Sequence, residues 1–418
     1  MKIILSNLNT YLNGRFRKCD IAVSEGRVID ISESIRKTDG FTVYKLNNCF
    51  CFPGFVDVHV HLREPGFSYK ETIKTGTLAA AYGGYTTVCS MPNLNPVPDC
   101  YENLALQLDK IDKDAQIEVV PFGSITKGEK GEELSNFEEM SRFVAGFSDD
   151  GKGVQNEAVM REAMKRASAL GKIISAHCED NSLLNGSCVH DGAFSRRLGI
   201  KGISSESEYA QIERDLKLAK ETGCKYHVCH ISTKKAVELI DRAKKDGVDV
   251  SCETAPHYLV LCDEDMQNSG NFKMNPPLRT RADREALIEG ICNGTIDMIA
   301  TDHAPHSEEE KAGGVEKSCM GIVGLETAFP VLYTHLVKTG IISLERLVEL
   351  MAVNPSRRFG FNCGIEVGSA AKLTVFNLEK EYVINSQNFH SMGKSTPFDG
   401  MSVYGEHKIT VCGGRIYA

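Results

Sequence analysis

The chain lacks what several classes of protein require. It has no basic excess: 48 lysines and arginines against 56 aspartates and glutamates leave a formal net charge of −8. No face for nucleic acid or for an anionic membrane is therefore expected. Its longest apolar runs are only strand-length, too short for a membrane-spanning helix. The opening MKIILSNLNTYLNG has neither a long apolar stretch nor a small-residue cleavage site, so it does not read as a signal peptide. The 15 cysteines are odd in number, lack paired spacing and include no CxxC. They read as reduced thiols of a cytoplasmic protein, not as a disulfide framework or a thiolate zinc knuckle. No GxGxxG follows an early strand, which weakens a dinucleotide-binding fold.

What is present is an ordinary globular composition, 42% hydrophobic and 25% charged over 418 residues. Two regimes alternate along it. Residues 1–53 are rich in short strands such as KIILSN, DIAVSEG, RVIDIS and FTVYKL, with Gly14, Gly26 and Gly40 as turns. Residues 362–418 look alike, with AKLTVFNL and EHKITVCGGRIYA, so the two ends are expected to form one small composite β-sandwich domain. The middle, 54–361, alternates buried-strand patterns (VDVHVHLR, GYTTVCSMPN, GKIISAHCED, DMIATDHAPH) with amphipathic stretches such as NEAVMREAMKRASALG. Eight such units fit, so the fold expected is α/β, a closed (β/α)8 TIM-like barrel, in preference to an open sheet.

The chemistry-bearing residues sit where strands end. His59 and His61 end FVDVHVH, Asp150 ends VAGFSDD, His177 ends IISAH, His230 ends YHVCH and Asp302 ends MIATD. In a barrel all strand C-termini share one face, so these six would converge. On a strand, residues i and i+2 point the same way, which lets both imidazoles of His-x-His grip one ion. Imidazole with carboxylate is a zinc-type donor set. A lone histidine at a strand end is usually structural; four histidines and two aspartates at six strand ends are hard to obtain by accident. Asp149 beside Asp150 reads as a turn residue. Asp57 is either a hydrogen-bond partner of a ligand imidazole or a strand cap. His227 reads as packing, and Cys178 and Cys229 as small core residues that point away from the ion.

FVDVHVHLREPG, followed much later by ATDHAPHSEEEK, resembles the two signature segments of dihydroorotases. MPN at 91–93, SDDG at 148–151, AHCED at 176–180, CHIS at 229–232, APHYL at 255–259, NPPLR at 275–279 and MGIVGLET at 320–327 are similar too, so the resemblance spans essentially the whole chain. It implies two zinc ions, His59 and His61 on the first and His177 and His230 on the second. Many relatives bridge the pair with a carbamylated lysine; Asp150 occupies that zone here, which resembles the branch with a bridging aspartate and weakens the second site. Asp302 is implied as the proton shuttle in the reversible closure of N-carbamoyl-L-aspartate to (S)-dihydroorotate, a step of pyrimidine (UMP) synthesis. Arg63 is implied to hold the ring carboxylate, with Asn93 and His306. Asn275 and the backbone of Met320 and Gly321 are implied to contact the ring amides, and His61 borders substrate as well as metal.

Two other readings share these motifs. Dihydropyrimidinase, hydantoinase and allantoinase resemble the chain in His-x-His but typically carry the bridging lysine and no arginine at the position of Arg63. A non-catalytic dihydroorotase-like partner of aspartate carbamoyltransferase would lack His59, His61 or Asp302. The resemblance leaves open a homodimer and an association with aspartate carbamoyltransferase. The glycine-rich stretch at 312–324 reads as either a mobile lid or an ordinary loop.

Overall fold

The computed structural model describes residues 1–184 and 186–418. Its centre is a set of parallel strands that follow one another in chain order: Phe55–Val60, Tyr85–Ser90, Glu118–Pro121 continuing into Gly123–Ser124, Gly146–Ser148, Ile173–Ala176, Lys225–Val228, Val250–Thr254 and Met298–Ile299. Glu118–Pro121 pairs with Tyr85–Ser90 and Gly123–Ser124 pairs with Gly146–Ser148, so one bent strand joins a three-stranded sheet to a six-stranded one. The ring closes where Val60 bridges His303 in parallel and the His61 N–H donates to the His303 carbonyl at 2.8 Å. These strands are buried on both faces, as parallel strands under helices must be.

The covering helices follow from their patterning. In Glu157–Ala169 the buried residues are Met160, Ala163, Met164 and Ala167, one stripe at the helical repeat. The Asn156 side chain caps its start, as Thr233 caps Lys234–Lys245.

Both termini enter one eight-stranded sheet. Its order is Arg415–Tyr417, Ser402–Cys412, Leu373–Val383, Phe50–Pro53, Lys2–Leu12, Arg15–Ser24 and Arg27–Ser32, with Thr42–Lys45 also pairing on Lys2–Leu12. Alternation along Phe50–Pro53 divides its work: Cys51 joins a cluster with Ile3, Leu5, Leu373 and Val411, while Phe50 and Phe52 pack with the barrel core. The Phe52 ring lies 5.3 Å from Phe329 and 5.9 Å from Phe55, and Phe376 lies 4.3 Å from Phe329. Each such fully buried ring contributes about 1.5–3 kcal/mol, which fixes the sheet against the barrel. Between Val383 and Ser402 the chain leaves the sheet and lies on the barrel. There Ile384 and Phe398 pack on Val331, and the N–H groups of His390 and Met392 donate to Glu326 and Glu71.

Candidate metal centre and substrate pocket

The barrel brings all six candidate ligands to one end. Asp150 stands in the middle: Oδ1 lies 3.3 Å from His59 Nε2, 3.5 Å from His230 Nε2 and 3.7 Å from His177 Nδ1, and Oδ2 lies 3.4 Å from His61 Nε2. Asp302 Oδ1 is 3.1 Å from His61 Nε2 and 3.6 Å from His59 Nε2. His177 and His230 meet at 3.0 Å. All six side chains are buried. Burial alone would raise the Asp150 carboxyl, yet the surrounding histidines hold it well below the usual carboxylate range. Asp302 is likewise lowered against its burial, first by its hydrogen bond with His61.

The hydrogen bonds behind the cluster tell what it is built to hold. His59 Nδ1 lies 2.7 Å from Glu253 Oε1, and His61 Nδ1 lies 2.9 Å from Asn93 Oδ1. Both partners are acceptors, so each Nδ1 carries a hydrogen, and in the neutral, ligating form of the ring each Nε2 presents its lone pair toward Asp150 and Asp302. Fully buried His59 Nε2 and Asp150 Oδ1 find no donor at all. Lone pairs facing carboxylates in a dry site need a cation, and this donor set fits a divalent metal.

Asp149 turns the other way. Its carboxylate accepts from the N–H groups of Ile125 and Thr126 and from the Thr126 hydroxyl, pinning the loop that follows Gly123–Ser124. Asp57 accepts from the Thr301 N–H and hydroxyl and from the His59 N–H, so it ties the first barrel strand to the last and touches no ligand ring. The imidazole partner is instead Glu253, which also accepts from His227 Nε2 at 3.0 Å. Sequence reading passed over Glu253, although a single carboxylate in the apolar run VSCET was its signal. Cys178 bonds toward Tyr226, and burial pushes the Cys229 thiol up to about 12.

Beside the cluster opens a cavity of about 250 Å³, lined by His61, Arg63, Asn93, Asn275, His306, Met320 and Gly321 together with Glu129 and Lys152, which sequence reading did not single out. Arg63 is only 8% exposed, which removes the picture of a solvated loop arginine. Its Nε donates to the Pro305 carbonyl at 3.1 Å and one terminal nitrogen lies 3.4 Å from His306 Nε2, leaving further donors for a ligand. Asn275 donates to Glu179 at 3.0 Å, and its Oδ1 has no partner. Arg63, His230 and Asp302 adopt φ of 61°, 30° and 49°, the left-handed region that non-glycine residues avoid. The 312–324 stretch carries a short helix, Gly314–Lys317, and is laced down by the buried Lys311 ammonium, which donates to the carbonyls of Lys273, Cys319 and Gly321.

A parallel barrel with a His/Asp cluster of this kind at the strand ends defines a hydrolase of the amidohydrolase class. Comparison with known sequences narrows it. The family model described as dihydro-orotase-like matches residues 49–236. A dihydroorotase of Fusobacterium nucleatum is 51% identical over 416 residues, 99% of this chain and 98% of that protein. One of Geobacillus thermodenitrificans is 51% identical over 408 residues, 97% of this chain and 95% of that protein. The chain belongs to the dihydroorotase family. Among solved structures, the L-hydantoinase (dihydropyrimidinase) of Arthrobacter aurescens superposes with a TM-score of 0.87 at 28% identity, covering 100% of this chain and 96% of that one.

Proposed function

We propose that the protein is a zinc enzyme that interconverts N-carbamoyl-L-aspartate and (S)-dihydroorotate in cytoplasmic pyrimidine synthesis. The observation that carries this is the buried Arg63 beside the His/Asp cluster, in a cavity sized for one small ring. Dihydroorotate bears a ring carboxylate that dihydrouracil and simple hydantoins lack, and a guanidinium pairs with such a group through two parallel hydrogen bonds.

His59 and His61 would hold one ion, His177 and His230 the second, with Asp150 between them and Asp302 beside the first. Zinc, when bound, makes water nucleophilic near neutral pH and polarises an amide carbonyl. The protein's own groups do the rest. Arg63, with Asn93 and His306, orients the ring by its carboxylate. Asn275 and the backbone of Met320 and Gly321 meet the ring amides. Asp302 takes the proton of the attacking water and delivers it to the ring nitrogen as the carbon–nitrogen bond breaks, and ring closure retraces the same path.

The hydantoinase-like neighbours share the fold, and fold alone does not set substrate. Asp150 in the bridging place and Arg63 in the pocket favour dihydroorotate. Side-by-side assays on dihydroorotate, dihydrouracil and allantoin, with metal analysis of the same sample, test the reading. Preference for either of the latter two would overturn the substrate and leave the amidohydrolase class standing.

A further inference from the structure

We propose that His306, Glu310 and Cys319 form a separate binding site for a soft divalent cation of the zinc type, at the rim of the pocket. One ligand atom from each residue lies within 4.8 Å of the other two. An imidazole nitrogen, a carboxylate oxygen and a thiol sulfur suit zinc or cobalt far better than magnesium or calcium.

The three are held on a fixed frame. His306 and Glu310 are four residues apart at the start of the helix Glu308–Lys311, where Ser307 caps by accepting from the Glu310 N–H. The Cys319 N–H donates to the Glu310 carbonyl at 2.8 Å, and the Cys319 carbonyl accepts from the Lys311 ammonium at 2.8 Å. Backbone on both sides of the thiol is thereby tied to the same helix.

The hydrogen-bond pattern leaves room for a positive charge. His306 Nε2 lies 2.8 Å from the carbonyl oxygen of Met320, which can only accept, so Nε2 carries the hydrogen. Nδ1 then turns its lone pair toward Glu310 Oε2, 2.9 Å away. Two acceptors at that separation call for a cation beside them. Lys70 answers in part: its ammonium is 3.0 Å from Glu310 Oε1 and 3.4 Å from His306 Nδ1. Arg63 stands on the opposite side of the ring, 3.4 Å from Nε2. Burial, then Arg63 and Lys70, push His306 down to about 4. Glu310 falls to about 2 against its own burial, first through the Lys70 ammonium beside it. Neutral imidazole and ionised carboxylate, the ligating forms, are therefore in place at neutral pH. The Cys319 thiol must lose its proton, so binding releases one and displaces the Lys70 ammonium.

An ion held here ties Cys319, and with it the pocket-lining Met320 and Gly321, to His306. The rim of the pocket then stiffens, and excess metal slows exchange of substrate.

Cobalt(II) is the probe. Cys229 also lies within 4.8 Å of ligand atoms of His59 and Glu253, and other thiols are free. The near-ultraviolet thiolate-to-cobalt charge-transfer band therefore reports the rim site through its dependence on Cys319. Metal-loaded protein is titrated with cobalt(II), with proton release followed in weak buffer. The band should saturate at one added equivalent per chain, vanish in Cys319→Ser and weaken in Glu310→Gln. Cys319→Ser keeps both backbone bonds, and its activity before cobalt is added should match the unaltered protein, which certifies the fold. No band in the unaltered protein, or a band that persists in Cys319→Ser, would overturn the site. The optical readout is independent of the substrate assigned above.

Discussion

Glu253 Oε1 lies 2.7 Å from Nδ1 of His59, on a barrel strand whose five residues are all buried. The bond selects the tautomer in which Nε2 is free to ligate and adds negative charge behind the ring. Glu253→Gln retains the shape and removes the charge. Metal affinity measured by chelator competition should fall by about 10- to 100-fold, the usual cost of losing a partner behind a ligating histidine. Unchanged affinity would make Glu253 a packing residue.

Asp150 faces four histidines with two oxygens, three on Oδ1 and one on Oδ2. Asp150→Ala should therefore leave one ion weakly held and lower turnover, read as metal content per chain and kcat. Bicarbonate should have no effect on the unaltered enzyme, because no lysine needs carbamylation. A carbamylated lysine in the intact-mass spectrum of active protein would refute the bridging role of Asp150.

Asp302→Asn preserves size but cannot accept a proton. Turnover should drop by about a hundredfold or more, the scale of general acid–base groups. Metal content should change less. A near-normal rate would remove Asp302 from the proton path.

Much of this site is legible in the sequence because strands impose a period of two and barrels align strand ends. His59 and His61 follow from the first rule, and the meeting of His177, His230 and Asp302 from the second. What escapes is set by tertiary contacts. Asp57 and Glu253 both sit in apolar strands as lone acids, and nothing local says that one binds Thr301 and the other the His59 ring. The left-handed backbone of Arg63 and Asp302 is equally silent, since neither residue type announces it. Glu129 enters the cavity because Asp149 pins the loop that carries it, a contact across some twenty residues of chain.

His407 gives the fold an acid sensitivity remote from the metal cluster. Its Nε2 lies 2.8 Å from the Thr410 hydroxyl and its ring meets Phe376 edge-on. Burial, then the charges of His390 and Lys408, push it from 6.5 down to about 3. Between those values the unfolded chain holds a proton that the folded chain refuses, so its contribution is present above 6.5 and is lost as pH falls. In urea denaturation of metal-free protein, His407→Gln should lose less stability between about pH 7 and about pH 5 than the unaltered chain. Parallel losses would exclude His407 as a source of the acid limb.

Arg63 separates the candidate substrates. It is buried, and the Pro305 carbonyl takes only one of its five N–H donors. A charge-assisted pair with the ring carboxylate contributes about 1.5–3 kcal/mol net, which is about a tenfold to hundredfold effect. Arg63→Met should lower kcat/KM for dihydroorotate by at least that range. Part of the loss should fall on kcat, because binding energy at the carboxylate aligns the reacting carbonyl. Any activity on dihydrouracil should barely change, since that ring gives the guanidinium nothing to hold. Comparing the two rings separates a lost contact from damage to the whole protein. An equal fall on both would make Arg63 a structural residue, held for Pro305 and His306 rather than for the ligand.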